Sequence, residues 1–548
     1  MKEVDFDFIV IGSGFGGSVM THRLVEKGYS TCLLERGSRY PMQSFPRRIH
    51  EIKEKLFWDP KDEKYGFMEI RDDASSDYLS VTGSGLGGGS LIYANVLLRL
   101  EDEYFSNWPF KLNAAEFEPF YKIVLEMMDA SPYPLDTDPD YNDTPKARLY
   151  RETAKEMSMT EDMLEKPEVI APDLAINFRG SFPAEQALNK HGALQSKCNM
   201  CGECDIGCNI HAKNTLDLNY LFLAQKNGAD IRTDAEVTDI IDEGKLFTVR
   251  YINPKTKKLT TITSKKVVVS AGAIGSTRLL MNQKKKNNLP NLSPHLGHGL
   301  CGNGDFLAYS NLTDKQFDPS KGPVITTAIK YKMTPYPDGY KHVMYLEDAG
   351  APVGLAWYLA GKIPQVSSVF SAINLLYFNI IRAIKKKFGI SQVKAEVNIG
   401  DDFANAIDSD HFVRNMFVHL AMGRDRNTGV MVDEGGEFKV RWNLQDSELH
   451  FKRVEKELKR YTKKWNGIFM PNPFMAVDKV FAVHPLGGCI MGDEKEKSVV
   501  NLYGQAYGHE NLYIVDGSII PSSLGPNPSL TIAANAERIA SLINRKVS

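Results

Sequence analysis

At 548 residues, with 43% hydrophobic and 24% charged side chains, the chain has an ordinary globular composition but is too long for one compact core, so two lobes are expected. A net charge of -2 gives no electrostatic case for nucleic acid as a partner. The start, with Lys2, Glu3, Asp5 and Asp7, fits no export signal, and no uninterrupted apolar run would span a bilayer, so a cytoplasmic protein is expected.

Asp7-Phe8-Ile9-Val10-Ile11 predicts a buried strand running into Gly12-Ser13-Gly14-Phe15-Gly16-Gly17, and Val19, Met20, Leu24 and Val25 continue with helical spacing. Cys32-Leu33-Leu34-Glu35 predicts a second strand ending in an acid. Such glycines let backbone approach a pyrophosphate at a helix N-terminus, and Glu35 is placed to accept from a ribose hydroxyl. The plainer alternative is a structural glycine turn. A second glycine-rich passage, Val81 to Asn95, has no charged side chain as far as Leu98, which suggests burial against something flat and polar. Residues 106–197 are rich in Pro, Asp and aromatics, with a helix expected over Ala114 to Met128.

Further strands are expected at Ala229 to Thr233 and Lys265 to Ser270, the latter turning through Ala271-Gly272-Ala273-Ile274-Gly275-Ser276 into a helix over Thr277 to Met281. Within 306–476, strand-like runs such as His342 to Leu346 alternate with helices. There Val369, Phe370, Ile373, Leu376, Tyr377, Ile380, Ile381 and Ile384 recur at helical spacing before Lys385-Lys386-Lys387. They read either as a core helix with a solvated basic end or as a lid across 366–390 on a membrane surface, admitting an apolar substrate from lipid. Near the end, Asn511 to Gly517 predicts a strand finishing in Asp-Gly, then Pro521, Asn527-Pro528 and a helix from about Leu530.

Four cysteines stand at Cys198-x2-Cys201-x2-Cys204-x3-Cys208. This is the spacing by which ferredoxins wrap a [4Fe–4S] cluster; zinc and a thiol or disulfide arrangement are the alternatives. The last ligand would be Cys208 or Cys301, or one iron would stay open. Cys32 and Cys489 read as packing.

Together these motifs resemble the glucose-methanol-choline (GMC) family of FAD oxidoreductases, cholesterol-oxidase-like branch. The residues that carry the match are Gly12 to Gly17 with Glu35, Gly87-Gly88-Gly89-Ser90, Ala271-Gly272-Ala273, His484-Pro485-Leu486-Gly487-Gly488-Cys489, Asp516-Gly517-Ser518, and Gly525 to Thr531. The resemblance implies an α/β fold, a Rossmann-like FAD-binding domain with an inserted α+β substrate domain built on a sheet covered by helices. FAD-binding parts are expected at 1–105, 212–305 and 477–548, substrate-domain parts at 106–197 and 306–476, and the cysteine segment at 198–211.

The resemblance implies adenosine contacts at Gly14, Phe15 and Glu35, adenine at Val237, isoalloxazine beside Gly89 and Tyr93 to Val96, and closure of the flavin site by Gly517, Asn527 and Ser529. Gly12, Ser13, Gly16, Gly17, Arg36, Gly83, Gly88, Ser90, Asn95, Val96, Ala271, Asp516 and Pro528 complete the expected cofactor set. One departure is Ile-Tyr-Ala-Asn beside the flavin, where related enzymes carry Asn-Gly.

His484 and Asn527 look like the family's catalytic pair, and Glu347 like a steroid oxidase's isomerisation base. Alcohol oxidation needs an acceptor for the hydroxyl proton, which an imidazole can be near neutral pH, and Asn527 can donate to the developing charge. The bland alternatives are a hydrogen-bonded core histidine and a carboxylate paired with Lys or Arg. The substrate would be a bulky apolar secondary alcohol, sterol- or terpenoid-like. A cluster near the flavin would pass single electrons to a carrier protein or quinone. A reductase or isomerase, an oxygen-consuming flavin-only sterol oxidase, and a non-catalytic electron-transfer or metal-sensing protein are the competing readings.

Overall fold

The computed structural model describes residues 4–73, 76–109, 112–180, 186–311, 313–350, 414–472, 474–475 and 479–546. The apolar 366–390 segment lies outside the described residues, and so does the choice between core helix and membrane lid. No helix among the described residues is long and apolar enough to cross a membrane.

The chain opens with β1 (Phe6–Ile11), α1 (Phe15–Glu26) and β2 (Thr31–Leu34). After α2 (Ala114–Met127) and the short β3 (Glu168–Ile170) come β4 (Asp230–Arg232), β5 (Glu236–Asp242), β6 (Phe247–Ile252), β7 (Leu259–Val269) and α3 (Gly272–Lys285). A second series follows: β8 (Phe306–Asn311), β9 (Ala328–Met333), β10 (His342–Ala349), β11 (Phe417–Gly423), α4 (Glu448–Lys464) and β12 (Ile468–Pro471). β13 (Leu512–Ile514) and α5 (Ser529–Ser541) end it.

The first sheet runs β4-β2-β1-β7-β6-β5, with β13 also paired to β7. Around β1 the pairing is parallel: Ile9 faces Cys32 on one side and Val267 on the other, and Val267 in turn faces Leu512. On the edge away from β1, β7 serves two partners, because its first half pairs antiparallel with β6 and only Val267–Val269 reach β13. Phe8, Ile9, Val10, Val267, Val268 and Val269 are all fully buried, the unbroken apolar run of a strand covered on both faces. Each such side chain contributes about 1.5–3 kcal/mol by leaving water. Helices α1, α5 and α2 pack on one another beside this sheet. The α/β, Rossmann-like expectation is therefore met.

The second sheet runs β12-β8-β11-β10-β9-β3 and is antiparallel throughout. Helix α4 covers it with Phe451, Val454, Leu458 and Tyr461, spaced three and four apart so that they share one face.

Two element ends differ from the sequence reading, for one reason. The last strand is regular only over Leu512–Ile514, and α3 begins at Gly272 rather than Thr277. The buried Asp516 carboxylate accepts from Gly272 N (2.9 Å) and Ser276 Oγ (2.5 Å), and also from Ser518 N (2.8 Å). It ends the strand and starts the helix, as a negative group at a helix N-terminus does.

Candidate active site

A cavity of about 680 Å³ is walled by both sheets. From the first come Gly12, Ser13, Gly14, Phe15, Gly16, Glu35, Arg36 and Val237; from the second, Leu307, Tyr309, Val418 and Leu420. Between them the wall includes Gly83, Gly88, Gly89, Val96 and Ala271, and then Asp516, Gly517, Asn527, Pro528 and Ser529.

The glycines divide into two kinds. A Cβ on Gly16 would lie 1.7 Å from Val515 O, and one on Gly17 would lie 1.9 Å from Gly12 O, so these two let α1 pack against the strands. A Cβ on Gly14, Gly89 or Gly272 would meet nothing within 4 Å, and all three line the cavity. Helix α1 starts there with no side-chain cap and no acid in its first turn, leaving its N–H donors for an anion. Bare backbone and free donors at one turn fit a dinucleotide pyrophosphate.

Four of the expected cofactor residues have protein partners of their own or lie off the wall. Glu35 lines the cavity but is not a free acceptor, since Ser13 N, Ser13 Oγ, Gly37 N and Gly85 N all donate to it at 2.6–3.2 Å. These four donors fill a carboxylate's capacity, and the side chain ties the first glycine turn to the second. Gly17 is packing, as above. Ser90 is off the wall because its Oγ donates to Gly87 O and accepts from Leu216 N. Asn95 is fully buried at φ 71°, off the wall, with neither amide atom partnered.

Two of the three catalytic candidates, His484 and Asn527, meet at the cavity. Val480–Ala482 runs parallel to Tyr78–Gly83, and the chain then turns so that His484 and Gly83 share the wall. His484 Nδ1 lies 2.7 Å from Asp305 Oδ1 and is not a core histidine, its side chain retaining 16% exposure. Asn527 Nδ2 donates to Glu347 Oε2 at 3.4 Å. Glu347 does not reach the wall; it is wholly buried behind Asn527, and burial pushes its carboxyl up to about 8. Glu347 Oε1 and Asn527 Oδ1 have no protein partner. The ion pair considered for Glu347 is formed instead by its neighbour: Lys146 Nζ lies 3.4 Å from Asp348 Oδ2, both side chains fully buried. Asp305 was missed in the sequence, where Asn303-Gly304-Asp305 reads as an unremarked turn.

The cysteine run forms no single-ion site with the described residues. Among the described residues no three His, Cys, Asp or Glu side chains are grouped to hold a metal ion, and all seven cysteines are free thiols. Neither a zinc ligand set nor a disulfide is formed. Cys198, Cys201, Cys204 and Cys208 do line one narrow cavity, which Cys301 does not join. Backbone groups of Met200, Glu203 and Val324 hydrogen-bond to the first three sulfurs. Lys213 Nζ, itself buried, donates to Cys204 O at 2.8 Å and Leu91 O at 3.1 Å. The two cavities are back to back: Cys204 and Pro323 line the small one, while Asp205 and Val324 line the large one.

Residues 6–301 and 454–536 match the N- and C-terminal parts of the GMC oxidoreductase family. A cholesterol oxidase of Acinetobacter baumannii is 27% identical over 570 residues, covering 100% of this chain and 96% of its own. A cholesterol oxidase of Mycobacterium tuberculosis is 29% identical over 560 residues, covering 98% and 91%. A solved pyridoxine 4-oxidase from Mesorbium loti shares the fold with a TM-score of 0.58 at 15% identity, covering 98% of each chain. The match over residues 6–301 takes in more than half of the chain, and with it the glycine cradle described above: this is a GMC oxidoreductase, an FAD-binding enzyme that oxidises CH-OH groups.

Proposed function

We propose that the substrate is a bulky apolar secondary alcohol, sterol- or terpenoid-like, oxidised to the ketone. The observation that carries this reading is the joint wall: His484 and Asn527 share one cavity with the bare glycine turn and with an apolar face of the second sheet. Gly14, Gly89, Val237, Gly517 and Ser529 would hold FAD, which when bound supplies a two-electron acceptor for hydride. His484 takes the hydroxyl proton at Nε2, its other nitrogen being engaged by Asp305. Asn527 steadies the oxygen as charge develops. Leu307, Val418 and Leu420 exclude water and seat the hydrocarbon. The names of the two cholesterol oxidases agree with this substrate class.

The same reading places an iron–sulfur cluster at Cys198, Cys201, Cys204 and Cys208, for electron exit to a carrier protein or quinone. A cubane presents its irons at separate corners, so its thiolates need not converge as one ion's ligands do. The back-to-back cavities support it. Isomerisation of an unsaturated ketone is a second reading, favoured by the buried, proton-holding Glu347.

The test is a visible spectrum with iron and acid-labile sulfide analysis on anaerobically purified protein, followed by anaerobic addition of cholesterol. A flavin spectrum that bleaches is expected. A flavin that no hydrophobic alcohol reduces would overturn the substrate reading, and absent iron would overturn the cluster alone.

A further inference from the structure

One turn, Gly302 to Asp305, lies between α3 and β8, and it touches both loops that carry the catalytic candidates. Asp305 Oδ1 faces His484 Nδ1 at 2.7 Å, while its Oδ2 accepts from Val483 N at 2.7 Å and His484 N at 2.9 Å. Asn303 Oδ1 accepts from Leu524 N at 2.9 Å and Gly525 N at 3.0 Å, and its Nδ2 donates to Pro526 O at 3.0 Å. The residue that follows Pro526 is Asn527. Both side chains are fully or almost fully buried, and neither lines the cavity.

The backbone of the turn is unusual as well. Asn303 and Gly304 are consecutive left-handed residues, at φ 55° and 66°. A Cβ at Gly304 would lie 2.5 Å from His450 Nε2. Asn visits this region at some cost, so the shape is held by what the turn binds. Gly302 N in addition donates to Asp425 Oδ2 at 2.9 Å, and Asp425 is tied to Ser523 Oγ on the Asn527 loop.

We propose that Asp305 and Asn303 are positioning residues that set His484 and Asn527 against each other, with Asp305 fixing the histidine tautomer. This rests on the reading of His484 as the proton acceptor. With Val483 N and His484 N both donating to Asp305, that carboxylate is left as an acceptor toward the ring. Nδ1 then carries the proton, and Nε2 is the lone pair that meets the substrate hydroxyl. When Nε2 takes the hydroxyl proton, Asp305 faces an imidazolium and stabilises it without receiving the proton. An Asn at 305 breaks this logic, because its NH2 cannot face two backbone N–H donors and so turns toward the ring, favouring the tautomer with Nε2 protonated. Other titratable groups face the pair. Asp205 acts on His484, and Glu347, Asp425, Tyr78 and Cys301 are near Asp305. Asp305 is the group among them that contacts the ring.

The experiment uses flavin-loaded full-length protein. Nitrogen NMR of ¹⁵N-histidine-labelled enzyme, with His484→Gln identifying the signal, reads the tautomer without any substrate. Anaerobic flavin reduction by detergent-dispersed cholesterol reads the rate. In wild type the His484 signal should report a protonated Nδ1 and a bare Nε2. Asp305→Asn should move the proton to Nε2 and slow flavin reduction roughly 10²-fold or more with KM little changed. Asn303→Gly, which suits the left-handed backbone, should slow reduction while leaving the His484 signal in place.

An Asp305→Asn enzyme with unchanged tautomer and rate would overturn the proposal. If His484→Gln itself leaves the rate unchanged, the proton-acceptor reading fails instead. Should Asp305→Asn not fold, Asp305→Glu keeps the carboxylate one methylene displaced. Retained tautomer with a reduced rate is then expected, and an undiminished rate would sink the positioning role.

Discussion

Glu347→Gln is the substitution whose effect on stability can be worked out most directly. Burial raises the Glu347 carboxyl from 4.5 to about 8, so the folded chain holds a proton that the unfolded chain releases across that interval. The sign follows from linkage. With the folded value above the unfolded one, the stability this group contributes is whole below pH 4.5 and is lost as pH rises towards 8. One proton of difference amounts to about 1.4 kcal/mol per pH unit, or about 5 kcal/mol over the whole interval. Glutamine keeps the acceptor that Asn527 Nδ2 uses and cannot ionise.

The stability gap between variant and wild type should therefore widen steadily in the variant's favour from pH 4.5 to 8 and stay level on either side. The assay is urea unfolding of both flavin-loaded proteins across that range at fixed excess FAD. Asp425 and Asp205, raised by burial to about 7 and about 6, titrate in the same interval, but they do so in both proteins and cancel in the difference. A gap independent of pH would show that Glu347 is ionised or hydrated in the fold, and the reasoning would fail.

Gly14→Ala should fold normally yet take up FAD poorly, since its Cβ meets only cavity, whereas Gly16→Ala should lose stability by about 2 kcal/mol or more because its Cβ collides with Val515 O; FAD titration and urea unfolding separate the two. Lys146→Met should destabilise by about 3–5 kcal/mol in the same unfolding assay, as it leaves buried Asp348 without its cation. Cys198→Ser and Cys204→Ser should abolish bound iron and acid-labile sulfide while the flavin spectrum survives; metal retained in both would refute the cluster at these thiols.

Much of the first sheet was legible because its signals are local. A buried parallel strand is an unbroken apolar run, and a glycine turn before a helix has few other uses, so Phe8 to Gly17 and Val267 to Gly272 could be placed from spacing alone. Roles that depend on distant partners could not. Glu35 sits at the strand end where a ribose acceptor is expected, but its saturation by Ser13, Gly37 and Gly85 needs the second glycine passage folded against the first. Ser90 and Asn95 fall in the right passage and are not part of the cavity wall, a matter of local packing that a motif does not encode. Asp305 escaped notice because it lies 179 positions from His484 and carries no signature beyond a turn. The cysteines show the limit in the other direction: their spacing suggests a ligand run, yet the described structure shares a cavity among them without closing a single-ion site.

The arrangement around Asn527 separates the two chemistries the site could perform. Alcohol oxidation needs an acceptor on the wall beside the hydroxyl; His484 is on the wall and Glu347 is not. Glu347 stands one residue deeper, joined to the wall only through Asn527 Nδ2, with Oε1 unpartnered and a proton to exchange near neutral pH. A carboxyl so placed could act only on a carbon that reaches past Asn527, and the isomerase reading requires the position alpha to the new ketone to do so. Glu347→Gln should accordingly leave anaerobic flavin reduction by cholesterol within a few-fold of wild type, while conversion of an added β,γ-unsaturated steroid ketone to its conjugated isomer falls by about 10²-fold or more. His484→Gln should show the opposite pattern. If both activities fall together in Glu347→Gln, the carboxyl is serving Asn527 rather than the ketone, and the isomerase reading is wrong.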